Sequence, residues 1–96
     1  MNDFELRQIE LAFAVIGNYF NQQITLNSTV HDLEALMSHL QLNDEVRFSD
    51  TLADIEVINA FLVEERRKPT SEEAADIQAN LDILKSILLQ KKRSGQ

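Results

Sequence analysis

The chain contains no cysteine and no tryptophan, and only one proline, two glycines and two histidines among its 96 residues. Without cysteine there are no disulfide staples, no thiolate metal site and no cysteine nucleophile, and the composition fits a reducing compartment. The histidines, His31 and His39, are eight residues apart. On a helix that spacing is about 80° round the axis and two turns along, so the pair does not converge on one ion. Long apolar runs are also missing. The longest, Leu11 to Ile16, has six residues, against the ~20 that cross a bilayer. The acidic start, Met1 to Arg7, does not read as a secretory signal. A soluble, cytoplasmic protein without membrane contact is expected.

Basic residues are scarce over most of the length. Residues 1–65 hold twelve acids against Arg7 and Arg47, a net charge of −10, whereas residues 66–96 hold seven bases against four acids, a net charge of +3. The total of −7 disfavours direct nucleic-acid binding, which needs a concentrated basic face. Unlike charges in the two parts suit helices lying side by side.

With so few helix breakers, the apolar spacing is helical almost throughout, and a chain of this length suits one domain covering residues 1–96. Four helices are predicted, at about 3–21, 29–41, 49–67 and 71–92, with 94–96 as a frayed tail. Asn2 is placed to cap the first helix, with Glu5 in the capping-box position. Gln22 to Asn27 reads as a short extended link, with Ser28 or Thr29 capping the second helix. Val30, Leu33, Leu36, Met37 and Leu40 form its apolar face. Ser49 reads as the cap of the third helix, whose stripe is Phe48, Leu52, Ile55, Ile58 and Leu62, with Asn59 inside it as a register-setting polar residue. Pro69 ends that helix, and Thr70 to Glu73 form a T-x-x-E capping box for the fourth. Ala74, Ile77, Leu81, Leu84 and Leu88 then follow at helical spacing. The fold class is all-α, a four-helix antiparallel bundle-like domain, expected to associate as a homodimer.

The first helix carries the most unusual pattern. Leu6, Ile9, Phe13, Ile16 and Phe20 form an ordinary core stripe, while Phe4, Leu11 and Val15 point roughly 160–180° away, with Tyr19 nearby. This second row needs a cover, from the same chain, a second copy or another protein, and the homodimer is the commonest such solution. Gly17, within the same helix, reads as a site of close helix approach.

Motifs for catalysis are incomplete. Glu73 to Asp76 supplies the E-x-x-D half of the magnesium motif of the all-α nucleotide pyrophosphohydrolases, but the E-x-x-E half on the preceding helix is missing. Asn27-Ser28-Thr29-Val30 places a serine at a helix start, as in acyl carrier proteins, without the preceding aspartate or the apolar residue that follows. Neither histidine is followed by the lysine and glycine of histidine phosphotransfer domains. Asp50 and Asp54 form an i, i+4 acid pair better read as a solvated face than as a metal site. No catalytic, cofactor-binding or metal-binding residue is assigned, and no cofactor or small-molecule substrate is inferred. The leading expectation is a non-enzymatic regulatory or adaptor protein acting through protein–protein contact, with Phe4, Leu11, Val15 and Tyr19 as the candidate interface. Val57, Phe61 and Val63 add apolar surplus to the third helix. The alternative is an acidic nucleic-acid mimic that inhibits a DNA- or RNA-binding protein through Asp44, Glu45, Asp50, Asp54 and Glu56. An acyl-carrier-like or metal-dependent helical protein ranks below both.

Overall fold

The computed structural model describes residues 2–40 and 46–94, and every regular element among them is helical: α1 (Asp3–Phe20), α2 (Leu26–His39), α3 (Val46–Glu65) and α4 (Ser71–Ser94). Helix α1 packs on α2, α2 on α3, and α3 on α4, which closes back on α1, while the diagonal pairs stay apart. Gln8, near the start of α1, meets His39 at the end of α2, and Asn59, late in α3, meets Asn27 in the first turn of α2. Helices α1 and α2, and α2 and α3, therefore run antiparallel. All four contribute side chains with no exposed surface to one core, among them Ile9 and Ile16, Leu33, Ile55, and Leu81 with Leu84. Each such side chain stabilises the fold by about 1.5–3 kcal/mol through burial.

Helix ends follow local hydrogen bonding. Asn2 Oδ1 accepts from the Glu5 N–H at 2.7 Å, capping α1. Helix α2 starts earlier than Ser28 or Thr29, because Thr25 is the residue that caps it: Thr25 Oγ1 accepts from the Ser28 N–H at 3.1 Å. Leu26 and Thr29 consequently fall on the buried face, and the Thr29 hydroxyl donates to the Thr25 carbonyl at 2.8 Å. Ser49 lies inside α3 rather than at its cap. Phe48, Thr51, Leu52 and Ile55 are all buried, so the helical repeat that carries Phe48 inward extends α3 one turn upstream of Ser49.

Both α1 and α3 end with one residue in the left-handed region, Gln22 (φ 63°) and Arg66 (φ 54°). After α1, the Gln23 N–H donates to the Asn18 carbonyl at 2.8 Å and the Gln22 N–H to the Tyr19 carbonyl at 2.9 Å. After α3, the Arg67 N–H reaches the Leu62 carbonyl at 3.2 Å and the Arg66 N–H the Val63 carbonyl at 3.3 Å. These are paired Schellman closures with side chains where glycine is the easier residue.

The core face of α1 is turned relative to the expected stripe. Ile9, Ala12 and Ile16 are buried with Gln8 beside them, Phe13 is only partly buried, and Phe20 is exposed. Small Ala12 lies at the centre of the contact, where no large side chain announces it. Gly17 does not mark a close approach: a Cβ built there meets nothing within 4 Å.

Candidate functional site

Exposed large apolar side chains gather on α1 and α3, with Leu89 on α4 apart from them. On α1 the proposed second row divides. Val15 and Tyr19 are partly buried and packed against the core, and burial pushes the Tyr19 phenol up from its ordinary value. The Phe4 ring lies 6.1 Å from the His39 ring of α2, tilted by 53°. One turn on, buried Gln8 Oε1 lies within hydrogen-bond distance of His39 Nδ1, at 3.3 Å. The chain itself thus covers part of this row: the core takes Val15 and Tyr19, and His39 of α2 lies against Phe4. Phe4 at 52% and Leu11 at 48% keep about half of their surface in solvent.

Helix α3 is the truly two-sided one. With Ile55 as the reference and ~100° per residue, Val46, Asp50, Ala53, Asp54, Val57, Ala60, Phe61 and Glu64 occupy a sector about 120° wide opposite the core, and every one of them is exposed. The spacing 46, 50, 53, 57, 60, 64 alternates fours and threes, the spacing of a helix-packing seam. Val46 is 68% exposed, Val57 56% and Phe61 52%. The sector contains three acids and no base, and among the described residues Asp50, Asp54 and Glu64 enter no ion pair.

The candidate acidic surface does not form one face. Asp44 and Glu45 lie outside the described residues. Asp50 and Asp54 sit on the outer sector of α3, between Val46 and Phe61. Glu56 instead shares a hydrogen bond with Glu34 of α2, and this contact, with burial and like-charge repulsion, raises its pKa above the ordinary value. A proton is therefore held more tightly between α2 and α3 than on a free carboxyl.

At the end of the bundle formed by the α1–α2 link and the α3–α4 turn lies an open groove of about 900 Å³, with Tyr19, Ile24, Leu62 and Pro69 among its walls. The Asn59 Nδ2 donates to Asn27 Oδ1 at 2.9 Å in this wall, an exposed bond that links α3 to α2. Beside it, Arg67 grips Glu73 with two bonds, Nη1 to Oε1 at 2.6 Å and Nη2 to Oε2 at 3.0 Å, and also pairs with Glu65. Glu73 Oε1 accepts from the Thr70 N–H at 3.0 Å while Thr70 Oγ1 accepts from the Glu73 N–H at 3.1 Å, completing the capping box. The Arg67 contact and the Thr70 N–H together hold the Glu73 carboxyl down to about 2. Arg67 thus belongs to the α3–α4 turn, and its charge is committed within the chain.

Of the residues weighed for chemistry, Ser28 donates its N–H to the Thr25 cap, Glu73 serves the capping box, and Asp76 and His31 are exposed. Among the described residues no three His, Asp or Glu side chains are grouped to hold a metal, and no helix is long and apolar enough to cross a membrane. Compared with known families, with curated proteins and with solved structures, the chain shows no significant match.

The outer sector of α3 combines large apolar side chains, small alanines and carboxylates that have no ion pair among the described residues, all on one helix. In the sequence, Val57 and Phe61 stand out as apolar surplus and Asp50 and Asp54 as acidic surface, as two separate features. The signal was available in the alternating spacing from Val46 to Glu64.

Proposed function

We propose that the chain is a non-enzymatic adaptor or regulatory protein that works by binding another protein. The observation that supports this is the exposure of Val46, Val57 and Phe61 on a single face of α3. Apolar groups in such a row gain free energy when covered, at roughly 25 cal/mol per Å² removed from water, and clustered apolar surface marks interaction sites. Nothing in the packing of the core requires these three side chains, since the opposite face of α3 supplies Phe48, Leu52, Ile55 and Leu62.

The arrangement favours this reading over a nucleic-acid mimic. A mimic presents ordered carboxylates to a basic groove, whereas here Asp50 and Asp54 alternate with valine and phenylalanine and Glu56 is turned toward Glu34. The test is affinity capture with wild-type protein and with a Val57→Glu, Phe61→Glu variant, at ionic strengths from roughly 0.05 to 0.5 M. A protein retained stoichiometrically by the wild type across that range and lost from the variant supports the reading. Capture that survives the substitutions but collapses with salt points to the mimic instead.

Self-association is a separate proposal, resting on Phe4 and Leu11, the exposed remainder of the α1 row. Light scattering over a concentration series reads it directly: a dimeric wild type and a folded, monomeric Leu11→Glu variant support a homodimer through α1, and a monomeric wild type removes it.

A further inference from the structure

The acids interleaved with the apolar residues on α3 say what kind of partner fits there. We propose that the outer face of α3 docks an amphipathic helix with lysine or arginine flanking its apolar stripe, supplied by a different protein. The partner assignment rests on the protein-binding reading above and adds its chemistry.

Three features of the face carry it. The seam from Val46 to Glu64 is nineteen residues of uninterrupted α-helix, about 27 Å at 1.5 Å per residue, which matches a single partner helix of similar length lying alongside. Its positions alternate at fours and threes, and Ala53 and Ala60 fall between the larger Val46, Val57 and Phe61. Small residues between large ones leave holes that a partner's apolar knobs can enter. Anchors at such spacing are how a groove or face reads an amphipathic helix. The charge then selects among amphipathic helices. Asp50, Asp54 and Glu64 are all negative and have no ion-pair partner among the described residues. An approaching helix with glutamates beside its stripe is repelled, and one with lysines is drawn in and oriented.

The same charge argues against a second copy on this face. Packing α3 against α3 of another molecule brings six carboxylates, three from each copy, into one seam, against one bordering base per copy, Arg47 beside Asp50. Like charges facing each other across a helix seam are destabilising, so a foreign basic helix is the better complement.

The test uses the full chain and three labelled synthetic peptides of about 20 residues: one with leucine at seam positions and lysine beside them, one with the same composition in scrambled order, and one with glutamate for lysine. Binding is read by fluorescence anisotropy, and the contact surface by backbone amide shifts. The expected result is that only the ordered basic peptide binds, with shifts concentrated in α3. The pair Val57→Ser, Phe61→Ser should weaken it by about tenfold or more, as hot-spot truncation does. The pair Asp50→Asn, Asp54→Asn should weaken it several-fold and flatten its salt dependence. All four positions are exposed, so each variant is required to keep the wild-type melting curve. Equal binding of the scrambled peptide, or unchanged binding by Val57→Ser, Phe61→Ser, overturns the docking site. Binding of the glutamate peptide to α3 overturns the basic partner while leaving protein binding by this face intact. If none of the three shifts α3 resonances, both the partner and the face are wrong.

Discussion

Gly17→Ala should stabilise the protein, and the reason can be worked out from one helix. Gly17 lies in the last turn of α1, where its carbonyl accepts the Asn21 N–H at 3.0 Å. Its φ is not in the left-handed region, and an added Cβ meets no atom within 4 Å. The substitution therefore introduces neither a clash nor a packing gain. What remains is helix propensity, in which glycine is less favourable than alanine by about 0.8–1.0 kcal/mol because it loses more backbone freedom on folding. For a domain of this size a gain of about 1 kcal/mol raises Tm by roughly 4–8 °C. Urea unfolding followed by circular dichroism should show the same gain as a higher midpoint at unchanged slope. A lower midpoint refutes the reasoning, because it requires an atom close to Gly17 in solution. If that loss grew with protein concentration, the atom would belong to another molecule.

Three further outcomes follow from the helix ends and the acid pairs. Gln22→Gly should add about 0.5–1 kcal/mol, since Gln22 holds φ 63°, a conformation that costs a residue with a Cβ about 1–2 kcal/mol, partly offset by glycine's freer unfolded state; chemical denaturation measures it. Glu56→Gln should stabilise the protein at pH 7 by a few tenths of a kcal/mol, because Glu56 is raised by its bond to Glu34 and the ionised pair repels in the fold, with solvent screening limiting the size. A raised carboxyl pKa costs stability above the folded value, so the gain should shrink as pH falls through the carboxylate range. Glu73→Gln should do the reverse: the folded pKa is about 2 against an ordinary 4.5, so the wild type's advantage is complete above 4.5 and disappears as pH falls toward 2. Urea midpoints of the two proteins across that window should converge.

The parts of the fold legible in the sequence are those set by local chemistry. The Thr70–Glu73 box and the spacing of Ile77, Leu81, Leu84 and Leu88 each act within a few residues, and the structure has them where periodicity put them, whereas α3 ends at Glu65 on left-handed Arg66, ahead of the stop expected at Pro69. Misplaced starts have a common cause. Thr25, Ser28 and Thr29 are three hydroxyl residues within five positions, and the choice of Thr25 as the cap goes with the burial of both Leu26 and Thr29 in the core. Likewise Phe48 belongs to the core stripe, and a helix capped at Ser49 excludes it. The candidate site was harder to read for a different reason. A helix with two apolar sides does not say which side the rest of the chain covers. On α1, the Gln8–His39 and Phe4–His39 contacts join residues 31 and 35 positions apart, and no local pattern reports such tertiary pairings.

Fold and proposed function make different demands on α3, and substitution on its two faces should separate them. The core already has fully buried side chains from all four helices, so nothing inside it depends on Val57 or Phe61, each more than half exposed. Keeping them on the surface has a cost in solubility, which the net charge of −7 helps to offset by repulsion between copies. Val57→Ser and Phe61→Ser should then each change unfolding stability by no more than about 0.5 kcal/mol, as surface substitutions do. Leu81→Ala, which empties a fully buried position facing the other helices, should cost about 2–5 kcal/mol, a large share of the stability of a domain of this size. Partner binding should follow the opposite order, lost with Val57 and Phe61 and retained in whatever fraction of Leu81→Ala remains folded. If instead Phe61→Ser unfolds the chain as readily as Leu81→Ala, the outer face of α3 is structural, and the apolar surface left for a partner is the exposed part of α1 at Phe4 and Leu11.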